Sequence, residues 1–179
     1  MKTIVVHNRP FVPFIKEAEI KEQVKRLAGE LKRDYEGKIP LFIAILNGSF
    51  IFASDLFKQI DFEAEICFIK LASYKGTKST GQVISAIGLD VDVKGRHVVI
   101  LEDIVDTGKT LTSFIPQLHN QHPASLKLCV LLHKPEAMQV SLNIDYLGFT
   151  IPNRFVLGYG LDFDGLGRNI PELYQLQEP

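Results

Sequence analysis

The chain reads as an α/β fold, a mainly parallel twisted sheet flanked by helices. Three observations predict it. Short β-branched apolar runs such as Leu41-Phe-Ile-Ala-Ile-Leu46 have the character of strands buried on both faces. Stretches with apolar residues at helical spacing lie between them. Residues 98–111 join a buried run to a helical rhythm through a small acidic turn, which is how parallel sheets place ligand sites at strand C-terminal ends.

Taken in order, residues 1–15 hold a short apolar stretch and two prolines, expected as an arm lying against the body. From Glu17 to Tyr35 the residues Ile20, Val24, Leu27, Ala28, Leu31 and Tyr35 recur at helical spacing, and Gly37 suits the cap. Leu41–Leu46 is a strand broken by Asn47-Gly48-Ser49, and a helix carrying Ile51, Phe52, Leu56 and Ile60 follows. Glu63 to Leu71 and Val83 to Ile87 read as strands on either side of a polar excursion over residues 73–81, which suggests a hairpin-like flap. Val98 to Leu101 is the next strand, and the helix after it runs to about Gln117. Ser125 to Leu132 and Tyr146 to Thr150 complete the strands, and an irregular tail is expected after Leu161.

With 179 residues, no repeat and no Ser/Pro-rich linker, one domain spanning residues 1–179 is expected. Hydrophobic content of 46%, charge of 23% and a net charge of −1 fit an ordinary globular protein and advertise neither nucleic acid nor an anionic membrane. No signal peptide or membrane span is legible, and Cys67 and Cys129 lack companions at metal-ligand spacing, so buried thiols in the cytoplasm are expected.

The chemistry concentrates in Val98-Val-Ile-Leu-Glu102-Asp103-Ile-Val-Asp106-Thr107-Gly108-Lys109-Thr110-Leu111. Free amides at a helix start suit a phosphate. Gly108-Lys109-Thr110 invites a P-loop reading, but that motif needs glycine where this chain has Asp103, and a carboxylate there repels phosphate. The stretch instead closely resembles the phosphoribosyl-pyrophosphate signature of type I phosphoribosyltransferases, in the form found in their hypoxanthine(-guanine) branch.

That resemblance runs in unbroken order from about Leu41 to Pro171. It implies the type I phosphoribosyltransferase fold with a small hood formed by N- and C-terminal segments. Leu46-Asn47-Gly48-Ser49, by itself an ordinary strand-to-helix turn, resembles the family's pyrophosphate loop, entered through a cis peptide. Many relatives carry a basic residue at the position of Asn47, a change that an amide-based contact survives. Ser73-Tyr74 and the polar residues after them, on their own an unremarkable loop, resemble the flap that closes over the diphosphate. Lys134, otherwise a solvated strand-end lysine, matches the donor to the purine C6 oxygen, and a donor there disfavours adenine. Phe155 matches the aromatic that stacks on the purine, and Val156 the backbone contact to the base edge. Asp162 matches a magnesium-linked acid beside the base, and Arg168 a diphosphate contact. Gly165-Leu166-Gly167 departs from the acidic and aromatic residues common in relatives, which bears on where Arg168 sits.

By the same resemblance, Glu102 and Asp103 hold the ribose hydroxyls and take part with Asp162 at Mg2+, while Asp106 is the general base. The turn of Asp106, Thr107, Gly108, Lys109 and Thr110 cradles the 5′-phosphate, and Asn47, Gly48, Ser73, Tyr74 and Arg168 face the diphosphate. The implied reaction is phosphoribosyl transfer to N9 of a 6-oxopurine by a homodimer or homotetramer. A xanthine-preferring enzyme shares the phosphate site and is the alternative. A nucleic-acid-binding regulator on the same fold needs a basic face that this composition lacks.

Overall fold

The computed structural model describes residues 2–74 and 83–177. Its elements in chain order are β1 (Ile4–Val6), β2 (Arg9–Ile15), α1 (Glu17–Tyr35), β3 (Leu41–Leu46), α2 (Phe50–Gln59), β4 (Glu65–Tyr74) and β5 (Val83–Ile87). There follow β6 (His97–Val105), α3 (Lys109–His119), β7 (Ser125–His133), a single 3-10 turn (Pro135–Ala137), β8 (Tyr146–Thr150), β9 (Val156–Leu157) and β10 (Leu173–Leu176).

The main sheet has the order β5-β4-β3-β6-β7-β8. All its pairings are parallel except β4 with β5, which run antiparallel with Tyr74 opposite Val83. The hairpin expected for the flap is therefore present in its two strands, while the rest of the flap, residues 75–82, lies outside the described residues. The chain leaves β3 toward β4 on one side and leaves β6 toward β7 on the other. The gap between the C-terminal ends of β3 and β6 is thus a switch point, where parallel sheets form ligand crevices.

Alternation along each strand divides the core. Phe42, Ala44, Val99, Leu101, Cys129 and Leu131 pack with α1 and α2, whereas Ile43, Ile100, Leu128 and Val130 pack with Leu111, Phe114 and Leu118 of α3. The apolar period of α1 buries the residues that its spacing predicts, and Glu19 accepts the Lys16 amide at 3.0 Å at its start. Both helix-bearing faces are covered, so the β-branched runs need no polar side.

A second sheet, β1-β2-β10-β9, gathers both ends of the chain into the hood. Its core is Phe11, Leu157 and Tyr174. Two expectations are corrected here. The N-terminal arm is a two-stranded hairpin, because Val6 and Arg9 pair across a His7-Asn8 turn with positive φ. The tail is not irregular either, since β10 inserts between β2 and β9 and pairs with both. A third correction concerns β6, which does not end at Leu101. Pairing with β7 continues through Glu102, Ile104 and Val105, so the two acids lie within the strand.

Among the described residues, no helix is long and apolar enough to cross a membrane.

Candidate active site

The turn after β6 opens the site. Glu102 lines a cleft of about 120 Å³ with Asp106, Thr107, Gly108, Thr110 and Leu111, on the α3 side. Gly108 precedes α3 with φ +77°, and a Cβ there would meet Val140 Cγ2 at 2.9 Å and Met138 Cε at 3.1 Å. Only glycine suits that conformation in that space. The Gln139 amide donates to Thr107 O at 3.1 Å, so the segment after β7 buttresses the turn. Thr110 and Leu111 bring the first turn of α3 to the cleft, and unpaired amides at a helix start suit a phosphate.

Asp103, one residue on, projects to the opposite face of the sheet, and there it meets the turn after β3. A Cβ on Gly48 would lie 1.7 Å from Asp103 Oδ2, so the carboxylate occupies the space a side chain at residue 48 would need. The bond from Leu46 to Asn47 is cis, as the family resemblance implies. Ser49 is fully buried and its Oγ donates to Ile45 O at 2.6 Å, which closes the turn at the start of α2.

Neither acid is comfortable there. Burial, and after it the neighbouring Asp103 carboxylate, holds Glu102 well above the usual carboxylate range. Among the described residues its Oε2 is buried without a hydrogen-bond partner. Burial also pushes Asp103 up to about 6, against the opposing pull of backbone amides and of the Arg168 charge. Two desolvated carboxyls at a crevice are a mark of a functional site.

The other residues come from β7 and the hood. Lys134 is not a solvated strand end: it is only 6% exposed, and its Nζ lies 3.3 Å from Asp106 Oδ2. Its amide donates to Val105 O at 3.0 Å, which extends the β6–β7 pairing to the site. Phe155 is 44% exposed, with its ring 5.4 Å from Phe163 at 68° and 6.1 Å from Phe11. An exposed ring fixed at its edge by others is a stacking platform. Val156 is in β9, which among the described residues is an edge strand paired only with β10.

Asp162 Oδ1 pairs with Arg168 Nη2 at 2.7 Å, and Oδ2 accepts the Gly165 amide at 2.7 Å. Phe163 and Leu166 bond each other's backbones across Asp164 and Gly165, both at positive φ, in a tight two-residue hairpin. The glycine-rich departure therefore folds back and returns Arg168 to the loop, where its Nη1 donates to Gly160 O at 2.7 Å. Glu102, Asp103 and Asp162 form no closed cage; among the described residues no three His, Cys, Asp or Glu side chains do. Ser73 and Tyr74 end β4, at the base of the flap.

Nothing in the sequence pattern marks the Gln139 and Met138 buttress, or Gly160, whose Cβ would lie 2.0 Å from Gly48 O. These contacts join segments far apart in the chain, and residue types alone carry no signal of them.

A family model described as a phosphoribosyl transferase domain matches residues 15–164, from the end of β2 to the Asp164 turn. The chain belongs to the phosphoribosyltransferase family. It is 46% identical to the hypoxanthine-guanine phosphoribosyltransferase of Lactococcus lactis over 158 residues, which is 88% of this chain and 86% of the relative. It is 41% identical to the hypoxanthine-guanine-xanthine phosphoribosyltransferase of Tritrichomonas foetus over 161 residues, 89% of this chain and 88% of that one. A solved hypoxanthine-guanine phosphoribosyltransferase from Bacillus anthracis superposes with a TM-score of 0.84 at 38% identity, covering 92% of this chain and 96% of that structure. The crevice between β3 and β6 lies within the residues that the family model matches.

Proposed function

We propose that this phosphoribosyltransferase acts in purine salvage. It transfers the 5-phosphoribosyl group from phosphoribosyl pyrophosphate to N9 of hypoxanthine and of guanine, giving IMP and GMP with release of diphosphate. The observation that carries the reading is the buried Lys134 reaching Asp106 beside the phosphate-binding turn, because it brings a C6-oxygen donor and a base to the same point. The names of relatives that align with nearly the whole chain support the same substrates.

In this reading the turn of Asp106 to Thr110 binds the 5′-phosphate through amides and hydroxyls, and Glu102 and Asp103 take the ribose hydroxyls. The hydroxyl protons supply what the desolvated carboxyls lack, so substrate binding relieves their burial. The purine lies on Phe155, its edge against the backbone of Val156 in the edge strand β9 and its C6 oxygen accepting from Lys134. Asp106 takes the proton from N7 as N9 attacks C1′ and the bond from C1′ to the diphosphate oxygen breaks. The carboxylates nearby favour the positive charge that grows on the ribose, and the amides at Asn47 and Gly48 with Arg168 hold the departing diphosphate. Ser73 and Tyr74, at the flap base, close over the diphosphate and exclude water.

Magnesium fits this donor set. A hard cation that takes one or two carboxylates and completes its shell with substrate oxygens and water needs no protein cage, and Glu102 has an unpartnered oxygen to offer. Glu102, Asp103 and Asp162 are the acids that would hold it, directly or through ribose and water. When bound it neutralises charge on the diphosphate as that group leaves. The family resemblance extends the reading to a homodimer or homotetramer, which light scattering measures.

The test is to incubate the protein with phosphoribosyl pyrophosphate, magnesium and each of hypoxanthine, guanine, xanthine and adenine, and to follow diphosphate release. Turnover with hypoxanthine and guanine, and none with adenine, is expected. Xanthine is included because the Tritrichomonas relative is named for it. No turnover with any base refutes the proposal.

A further inference from the structure

Tyr159 has no part in the chemistry described above, yet it is buried at a junction of the site. It has φ +48° between Gly158 and Gly160, and its hydroxyl donates to Asp55 Oδ2 at 2.8 Å. Asp55 is in the middle of α2, the helix that starts at the pyrophosphate-loop turn.

The backbone around it has no slack. A Cβ on Gly158 would lie 2.1 Å from Glu172 O, and one on Gly160 2.0 Å from Gly48 O. The Tyr159 amide donates to Ile170 O at 2.7 Å, and the Gly160 amide to Arg168 O at 3.0 Å. Arg168 returns through its guanidinium to Gly160 O at 2.7 Å. Gly160 therefore rests directly on the backbone of Gly48 while holding Arg168 at both its backbone and its side chain. Among the described residues the segment meets the unit formed by the Gly48 turn and α2 through Gly160 on Gly48 and through Tyr159, whose hydroxyl bonds Asp55 and which shares a core cluster with Phe52, Ala53 and Leu56 of α2. Apolar packing holds the two together but tolerates sliding, whereas the directional hydrogen bond from Tyr159 to Asp55 fixes the tilt of one against the other.

We propose that Tyr159 is a positioning residue for the diphosphate end of the site: its hydroxyl, fixed on Asp55 of α2, sets the spacing between the Gly160–Arg168 segment and the Gly48 turn without touching substrate. The proposal rests on the phosphoribosyltransferase reading above. Burial, and then the Asp55 carboxylate, raises the phenol pKa, so the hydroxyl keeps the proton it donates through the working pH range. The base-stacking side is tied to this segment through Phe163 alone of its two ring supports, because Phe11, which also meets Phe155, belongs to β2.

Tyr159→Phe removes the hydroxyl and keeps the ring in the core. Losing a hydrogen bond to a charged acceptor weakens a coupled equilibrium by about tenfold. The variant is expected to show a KM for phosphoribosyl pyrophosphate about tenfold higher, and a similar loss of affinity for inorganic diphosphate with magnesium by calorimetry. The KM for hypoxanthine should rise less, by no more than about threefold, since Phe11 of β2 holds Phe155 from outside the segment. Asp55→Ala should repeat the effect. Asp55→Asn keeps an acceptor for the hydroxyl, though a neutral one, and gives up the ion pair with the exposed Lys58 (2.5 Å), so it should recover most of what Asp55→Ala loses and stay within about threefold of wild type.

A structural role alone lowers the thermal midpoint and leaves both KM values and the diphosphate affinity unchanged, and that result overturns the proposal. So does an equal rise in the KM of both substrates, or an Asp55→Asn variant as impaired as Tyr159→Phe. If Asp55→Ala fails to fold, Tyr159→Phe and Asp55→Asn carry the test. Wild-type protein that turns over no base refutes the enzyme reading itself, whereas an active wild type with an unaltered Tyr159→Phe variant refutes only this inference.

Discussion

Replacing Asp103 by asparagine should make the ligand-free protein more stable while making it a worse enzyme. Asp103 is 7% exposed and its carboxyl is lifted from 3.8 to about 6, chiefly by burial. A folded-state pKa above the unfolded value means that the folded protein holds the proton more tightly. The contribution to stability is then greatest at low pH and is lost as the pH rises through the window from about 4 to 6. With about 1.36 kcal/mol per pH unit, the ionised group costs about 1 kcal/mol at pH 4.5 and about 3 kcal/mol at pH 8. Asparagine fills the same volume without a charge, so the variant lacks this penalty at every pH. Its amide accepts the nearby backbone hydrogen bonds less well, but that loss does not vary with pH. The stability difference between variant and wild type should therefore grow by about 2 kcal/mol from pH 4.5 to pH 8. Glu102 moves the result in the same direction, because the Asp103 charge helps to hold its own pKa up. Urea unfolding followed by circular dichroism, with chelator present and at one protein concentration, measures the difference at both pH values. A difference that is flat with pH, or that shrinks toward pH 8, refutes the argument that burial dominates at Asp103. In the presence of phosphoribosyl pyrophosphate and magnesium the order should reverse, since ligand stabilises the chain that binds it better.

Three further outcomes are expected. Asp106→Asn should lower turnover by about 10²–10⁴ while calorimetric affinity for phosphoribosyl pyrophosphate stays within a few fold, and unchanged turnover removes Asp106 as the base. Lys134→Ala should reduce the preference for hypoxanthine over adenine in kcat/KM by at least about tenfold, read in parallel assays on folded protein, and an unchanged preference refutes its place at the C6 oxygen. Gly160→Ala should cost about 3 kcal/mol or more in urea unfolding, because its Cβ meets the backbone oxygen of Gly48 at 2.0 Å and its φ is +99°; a loss below about 1 kcal/mol means that the contact between these loops relaxes easily.

The secondary structure was largely legible because its cues are local. The periods of α1 and the apolar runs of β3, β7 and β8 are written in consecutive residues, and the elements follow them within a residue or two. The grouping of the acidic turn was legible too, since Glu102, Asp106, Thr107, Gly108 and Thr110 belong to one contiguous motif and line one cleft, whereas Asp103 of the same motif faces Gly48 instead. Lys134 shows where local reading stops. A lysine after a strand reads as solvated, and only the β6–β7 pairing, carried on by the Lys134 amide to Val105, draws it under cover beside Asp106.

By itself, then, the sequence determined the alternation of strands and helices, and it set the proposed phosphate-binding turn and ribose-facing acids side by side in one motif. These depend on short-range periodicity and on contiguous residue types. Tertiary structure decided the rest. β6 runs on through Glu102 and Asp103 because β7 offers partners, and alternation then sends the two acids to opposite faces. The tail becomes β10 only because the N-terminal hairpin presents β2 as a template. Gly48, Asp103 and Gly160 are fitted to one another at distances no side chain could enter, although Asp103 and Gly160 lie far from Gly48 along the chain. Such close approach is a property of packed surfaces, and packing density, rather than pattern, fixes it.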